Sequence, residues 1–241
     1  TEWDKIPDPL DTSTEPEAKE PNWEFIEGDY THMRDNAAYV VHGDVGKWAI
    51  ALGMRLFGAT SGLGWRFSAV VAGVLCVLIV GRVAMRLFRS PALATMASGL
   101  LAVDGSAIVL SRTGLLDVFL ALFILVAFWA LLGDRGWSRA RLAEGFAADE
   151  KWWRHRTGPI GPLRPWLMVA GVALGLAAGT KWSGFYAAAA FGLAAFWWDV
   201  RDRRRIGVVS PLAGGVLQGG VPAFMSLVPA TLVTYVASYF S

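Results

Sequence analysis

The chain is poor in the residues that usually carry soluble chemistry. Among 241 residues it has one cysteine, three histidines and only 17% charged side chains. A single thiol, Cys76, makes neither an internal disulfide nor a zinc-cysteine cluster, and within its apolar run it reads as a small buried hydrophobe. No histidine or carboxylate group has metal-ligand spacing, so neither a metal nor a cofactor is expected. Internal repeats are also lacking, which speaks against a transporter built from matched halves.

What is present is grease. Hydrophobic residues make up 54% of the chain, a balance that argues against an ordinary soluble enzyme and against disorder over most of its length. Charge is unevenly placed: residues 1–64 hold five Lys/Arg against twelve Asp/Glu, and residues 65–241 hold seventeen against eight. Basic clusters interleaved with long apolar segments mark membrane topology rather than nucleic-acid binding.

A bilayer core of about 30 Å needs roughly 20 apolar residues in a helix, because lipid leaves no partner for an open backbone polar group. Six segments are read as spans: 65–87, 91–110, 115–132, 165–180, 182–198 and 211–240. Pro222 and Pro229 are expected to kink the last or to divide it into a re-entrant piece and a span. The fold class is therefore all-α, a polytopic helical bundle over 65–241, preceded by an irregular extracytoplasmic segment over 1–64.

Lys and Arg flanking a span stay on the cytoplasmic side. Arg82, Arg86 and Arg89 end the first span, seven basic residues from Arg135 to Arg164 fill a loop over 133–164, and Arg201, Arg203, Arg204 and Arg205 follow the fifth. The alternate junctions carry only Arg112 and Lys181, so they face outward together with 1–64. His42, Lys47, Arg112, Asp117 and Lys181 then share the outer side. A basic side chain at a helix end can simply reach lipid headgroups, but several on one face suit an anionic group.

Thr1 to Asn36, with Pro7, Pro9, Pro16 and Pro21, reads as an irregular loop that Trp3, Trp23, Phe25 and Tyr30 anchor to another surface. A chain starting outside with no signal or preceding span suggests that sequence lies upstream. Trp48 to Phe57 is too short to cross, and an interfacial helix is expected near 46–58. The Gly43-Asp44-Val45-Gly46 turn before it would present His42 and Lys47 at the membrane surface, where a helix N-terminus favours an anion. Its glycine spacing is not that of a nucleotide loop.

Three markers in order carry a resemblance: His42-Gly43-Asp44-Val45-Gly46-Lys47; Leu101-Ala102-Val103-Asp104-Gly105 with Leu110-Ser111-Arg112 and Leu116-Asp117; and Thr180-Lys181-Trp182-Ser183-Gly184. The chain resembles the protein O-mannosyltransferase family over nearly its whole length. Gly43 and Asp44 stand where that family usually has two prolines, and Gly105 where it often has asparagine.

The resemblance implies a polytopic glycosyltransferase of the GT-C type in the cell membrane, moving mannose from a polyprenyl-phosphate mannose to Ser or Thr of a secreted protein. It also implies Arg112 at the donor phosphate, with Lys181, His42 and Lys47 as further cationic candidates and Asp117 and Asp104 as carboxylates that orient Arg112 or hold a sugar hydroxyl. A guanidinium holds two phosphate oxygens at once, which suits Arg112 to the first role. Structural pairing is the other reading for both carboxylates, and is favoured for Asp104. The family's catalytic base, an Asp-Glu motif early in the first outer loop, has no counterpart in 1–36 and is expected upstream. A transporter and a non-catalytic module binding a lipid phosphate are the competing classes.

Overall fold

A computed structural model describes residues 42–148, 157 and 163–240, all in one compact unit. The expected irregular segment before His42, with its aromatic anchors, and most of the 149–162 stretch lie outside the described residues. Eight helices carry the described part, with no strand among those residues: α1 (Val45–Phe57), α2 (Gly62–Phe88), α3 (Pro91–Val103), α4 (Gly105–Arg112), α5 (Asp117–Ala148), α6 (Pro165–Thr180), α7 (Ser183–Arg205) and α8 (Pro211–Ala237).

By length and composition α2, α5 and α8 can each cross a bilayer, and α3 with α4 makes a fourth crossing if the pair is one bent span. The α3–α4 bend is 60° and has a local cause. Asp104 leaves the helical region at φ −67°, ψ 124° and its carboxylate accepts from the Ala107 N–H at 2.7 Å, so one residue ends α3 and caps α4. Ser90 caps α3 in the same way, with Pro91 at its first position where a missing N–H is harmless.

One of the expected boundaries shifts. The segment 115–132 does not give way to a loop at 133: α5 runs on to Ala148. Charge does not stop the helix, because Asp134 and Arg139 find partners on other elements. Asp134 is buried against Arg164, and Arg139 forks onto Asp202 of α7 at 2.7 and 2.9 Å. Of the two outcomes expected for 211–240, one long helix or a divided segment, the structure has the first, over Pro211–Ala237. It is continuous, loosened over Gly215–Gly220 into a π-turn, with Pro222 in the first turn after it and Pro229 inside the helix. The π-turn presses against α7, since a Cβ on Gly215 or Gly219 would collide with Val200 or the Asp199 carboxylate.

The helix α6 is the centre of the bundle, with ten of its residues buried. Gly171, Gly175 and Gly179 recur every fourth residue and form one stripe, along which α8 approaches so closely that its Leu227 and Thr231 carbonyls and Ser238 hydroxyl fill the space of the missing side chains. Small residues drive this packing because lipid supplies no hydrophobic difference between a buried and an exposed leucine. Ala127, Ala130 and Leu131 of α5 and Ala195 of α7 complete this core. A second core joins Ala69 and Ala72 of α2 to Val118 and Phe119 at the start of α5. The outer faces stay apolar and exposed, as with Leu78 of α2, Leu100 of α3 and Val233 of α8, which suits hydrocarbon rather than water.

The end of the bundle where α5 and α7 become charged is held by ions. Arg164 donates through Nε to Asp134 Oδ1 at 2.9 Å, its backbone N–H donates to Ser226 Oγ at 2.9 Å, and Arg203 donates to Asp199 at 2.8 Å. Arg164 and Arg203, read from the sequence as flanking charges, are thus buried inside the fold, 4% and 1% exposed.

Candidate functional site

The sequence markers meet at the opposite end, where α6 stops and α5 and α7 begin. The turn before α1 lies directly on the end of α6: a side chain on Gly43 would strike the Gly179 carbonyl, and one on Gly46 would strike Leu116 and Thr180. Glycine at 43 is therefore a close-approach requirement. Val45 is buried against Gly179, fixing the start of α1. His42 opens this turn, half-buried, and Lys47 Nζ pairs with Asp44 Oδ1 at 2.9 Å on the exposed side of α1.

Lys181 is the extended residue between α6 and α7, at φ −147°, ψ 140°. Its Nζ donates to Asp117 Oδ1 at 2.6 Å, and both side chains keep contact with solvent, at 24% and 42% exposure. Asp117 occupies the first turn of α5, where the helix dipole favours a carboxylate. The sequence places Asp117 beside Arg112; the structure gives it to Lys181 instead.

Arg112 closes α4, exposed at the mouth of a cleft of about 550 Å³ between α2, α3–α4 and α5. Asp104, Ser106 and Ser111 also line it, and the remaining walls are largely apolar, with Val74, Leu78, Leu101 and Leu125 among them. Ser111 packs its Cβ against Gly73 of α2 and donates to the Ala107 carbonyl at 2.6 Å, so the Ser-Arg pair divides its work: the serine fixes α4 on α2, and the arginine is left at the surface. Val118, the neighbour of Asp117, lines the same cleft, which links the arginine to the Lys181 pair through one turn of α5. Asp104 spends one carboxylate oxygen on the α4 cap. Among the described residues no three acidic, histidine or cysteine side chains converge as metal ligands would.

Aromatic residues frame this end in a way the sequence reading passed over. Trp182 and Tyr186 are 70% and 80% exposed beside Lys181, while Phe185 meets Tyr235 edge-on at 4.9 Å and Tyr235 meets Tyr239 at 5.2 Å. Trp and Tyr just beyond a span end belong at the headgroup level, and that was the available signal.

An all-helical bundle whose long helices keep apolar outer faces defines an integral membrane protein. The chain belongs to the family described as dolichyl-phosphate-mannose-protein mannosyltransferase, whose model matches residues 23–206. A relative in Mycolicibacterium smegmatis, named polyprenol-phosphate-mannose-protein mannosyltransferase, is 41% identical over 221 residues, covering 90% of this chain and 42% of the relative. Proteins of the same name in Mycobacterium tuberculosis and Corynebacterium glutamicum are 40% and 37% identical, each over 86% of this chain and 40% of their own length. The chain thus spans about two fifths of the length of these curated relatives. No solved structure matches it.

Proposed function

We propose that this chain is the donor-binding, membrane-embedded part of an enzyme that transfers mannose from polyprenyl-phosphate mannose to Ser or Thr hydroxyls of secreted proteins. The observation that carries the reading is the meeting of the 42–47 turn, Asp117 and Lys181 at one end of the bundle, next to the cleft that holds Arg112 at its mouth. A lipid-linked sugar phosphate has its charge at the interface and its tail among hydrocarbon. A cleft with a guanidinium at its rim and apolar walls below divides in the same way.

The end bearing Lys181 faces away from the cytoplasm in this proposal, with the arginine-rich ends of α2, α5 and α7 inside, in the cell membrane, and α1 lying in the outer interface. The six sequence segments then act as six crossings, the short α6 being sheltered by α5 and α8.

Chemically, Arg112 holds the phosphate that leaves when the mannosyl bond breaks, and its fixed charge stabilises the anion as it develops. Lys181 supplies a second positive charge, and His42 and Lys47 line the turn beside it. The reaction also needs a carboxylate to take the acceptor proton.

Mannose transfer from the lipid donor to a threonine-containing peptide, measured in the full protein, tests this. Arg112→Ala is expected to lower kcat/KM by about a hundredfold, and Arg112→Lys to recover only part of it, because an ammonium cannot fork onto two oxygens. Unchanged turnover and donor affinity in Arg112→Ala would remove the phosphate assignment.

A further inference from the structure

The arginine-rich end of the bundle holds more than topology. On α5, Arg135 and Arg139 lie one helical turn apart, and on α7, Arg201 and Arg205 do the same, with Trp198 and Asp202 on the same helix. The Arg135 guanidinium lies over the Trp198 ring at 4.6 Å from its centroid, and its Nε is buried with no hydrogen-bond partner. Around it stand Arg139, Arg201 and Arg205, and the carboxylate facing the group is Asp202. That carboxylate is already engaged, bidentate with Arg139 at 2.7 and 2.9 Å and at 3.6 Å from Arg205.

The other described acids of this end are engaged as well, Glu144 with Arg141 at 3.0 Å. Asp134 is closed into its pair with Arg164, and Asp199 into its pair with Arg203, with Ser138 Oγ donating to Asp199 at 3.4 Å. Among the described residues, these four guanidiniums therefore face one carboxylate. Such an excess of one sign favours an anion that supplies the missing charge. Arg139 and Arg205 are 43% and 55% exposed, and Arg201 is exposed too, so an anion can reach them from outside the bundle.

Position decides which anion. Arg135 and Arg201 lie 18 residues beyond the starts of α5 and α7, about 27 Å along each helix, which is the thickness of a hydrocarbon core. The cluster therefore sits at headgroup depth on the face opposite Lys181, and Trp198 is the kind of ring that anchors there.

We propose that Arg135, Arg139, Arg201 and Arg205, with Trp198 beneath, form a binding site for the phosphate of an anionic phospholipid. The lipid phosphate takes the exposed guanidinium donors of Arg139, Arg201 and Arg205, with the Arg135 charge held beneath them on Trp198, while its chains lie along the apolar part of α5 and α7. This site is separate from the donor cleft and does not depend on the proposed transferase activity.

Native mass spectrometry of the full protein, equilibrated with equal phosphatidylglycerol and phosphatidylcholine, tests it. The wild type is expected to retain phosphatidylglycerol in preference. Each arginine removed lowers that retention by about fivefold, so the Arg135→Gln, Arg201→Gln pair loses it by roughly twentyfold or more. Arg82→Gln, an exposed arginine of α2 outside the cluster, leaves it unchanged. Equal retention in the double variant overturns the proposal, as does an equal loss in Arg82→Gln, which would mean diffuse surface charge. Displacement of the lipid by millimolar inorganic phosphate also overturns it, assigning the site to the free anion. If the double variant does not fold, Arg201→Gln alone is expected to show the fivefold loss, and retention at the wild-type level there refutes the site.

Discussion

Lys181 Nζ lies 2.6 Å from Asp117 Oδ1, so the residue that closes α6 is tied to the residue that opens α5 across 64 positions of sequence. The pair is half in water, which keeps its contribution to stability below about 1 kcal/mol. Its value is positional: it holds an ammonium at the rim of the proposed donor site. Asp117→Asn is expected to leave the melting temperature within a few degrees while changing KM for the lipid donor more than kcat. A fall in melting temperature with KM unchanged would make the pair purely structural.

Gly43 and Gly179 touch through their backbones, and no side chain fits between them. Gly43→Ala is expected to cost about 1–3 kcal/mol, because the obstacle is a carbonyl that cannot rotate away. Thermal unfolding in detergent measures it. Proline at 43 is expected to be at least as costly. Wild-type stability in Gly43→Pro would mean that the turn lifts off α6 without penalty.

Asp104 separates two roles by one substitution. Asp104→Asn keeps an oxygen for the Ala107 N–H and is expected to hold the α4 cap, whereas Asp104→Ala loses about 1 kcal/mol. Activity that follows stability in both variants assigns Asp104 to the bend. Activity lost in Asp104→Asn at unchanged stability assigns its charge to the cleft.

The buried Asp134–Arg164 pair behaves differently from the half-exposed pair at the other end. Asp134→Asn leaves a guanidinium, 4% exposed, without its counter-charge, and is expected to destabilise by about 3–5 kcal/mol. Replacing both residues with apolar ones of similar volume is expected to recover most of that, although Arg164 Nη1 also reaches the Gly219 carbonyl at 3.5 Å. A single variant as stable as wild type, read by chemical or thermal unfolding, would contradict the burial of this pair.

Much of the architecture is readable from the chain itself. Each apolar run is helical, 91–110 as two helices broken at Asp104, since hydrocarbon permits no unpaired backbone and leaves helix as the local solution. The pairings are not readable in this way. Arg164 and Arg203 look identical in sequence to Arg201 and Arg204, yet two are buried and two exposed: the Arg164 partner, Asp134, is 30 residues away and near only after packing, and Arg203, paired within its own helix to Asp199, is buried only because other elements close over that pair.

Local chemistry alone fixed the apolar runs, the caps at Ser90 and Asp104, and the Gly171-Gly175-Gly179 stripe, all of which depend on neighbours a few residues apart. Tertiary structure decided that Asp117 belongs to Lys181 rather than Arg112, that Gly43 must lack a side chain, and that α5 continues past its first charges to Ala148. In each case the deciding contact lies on another helix, and its energy comes from desolvation and close approach, which exist only once the helices have met.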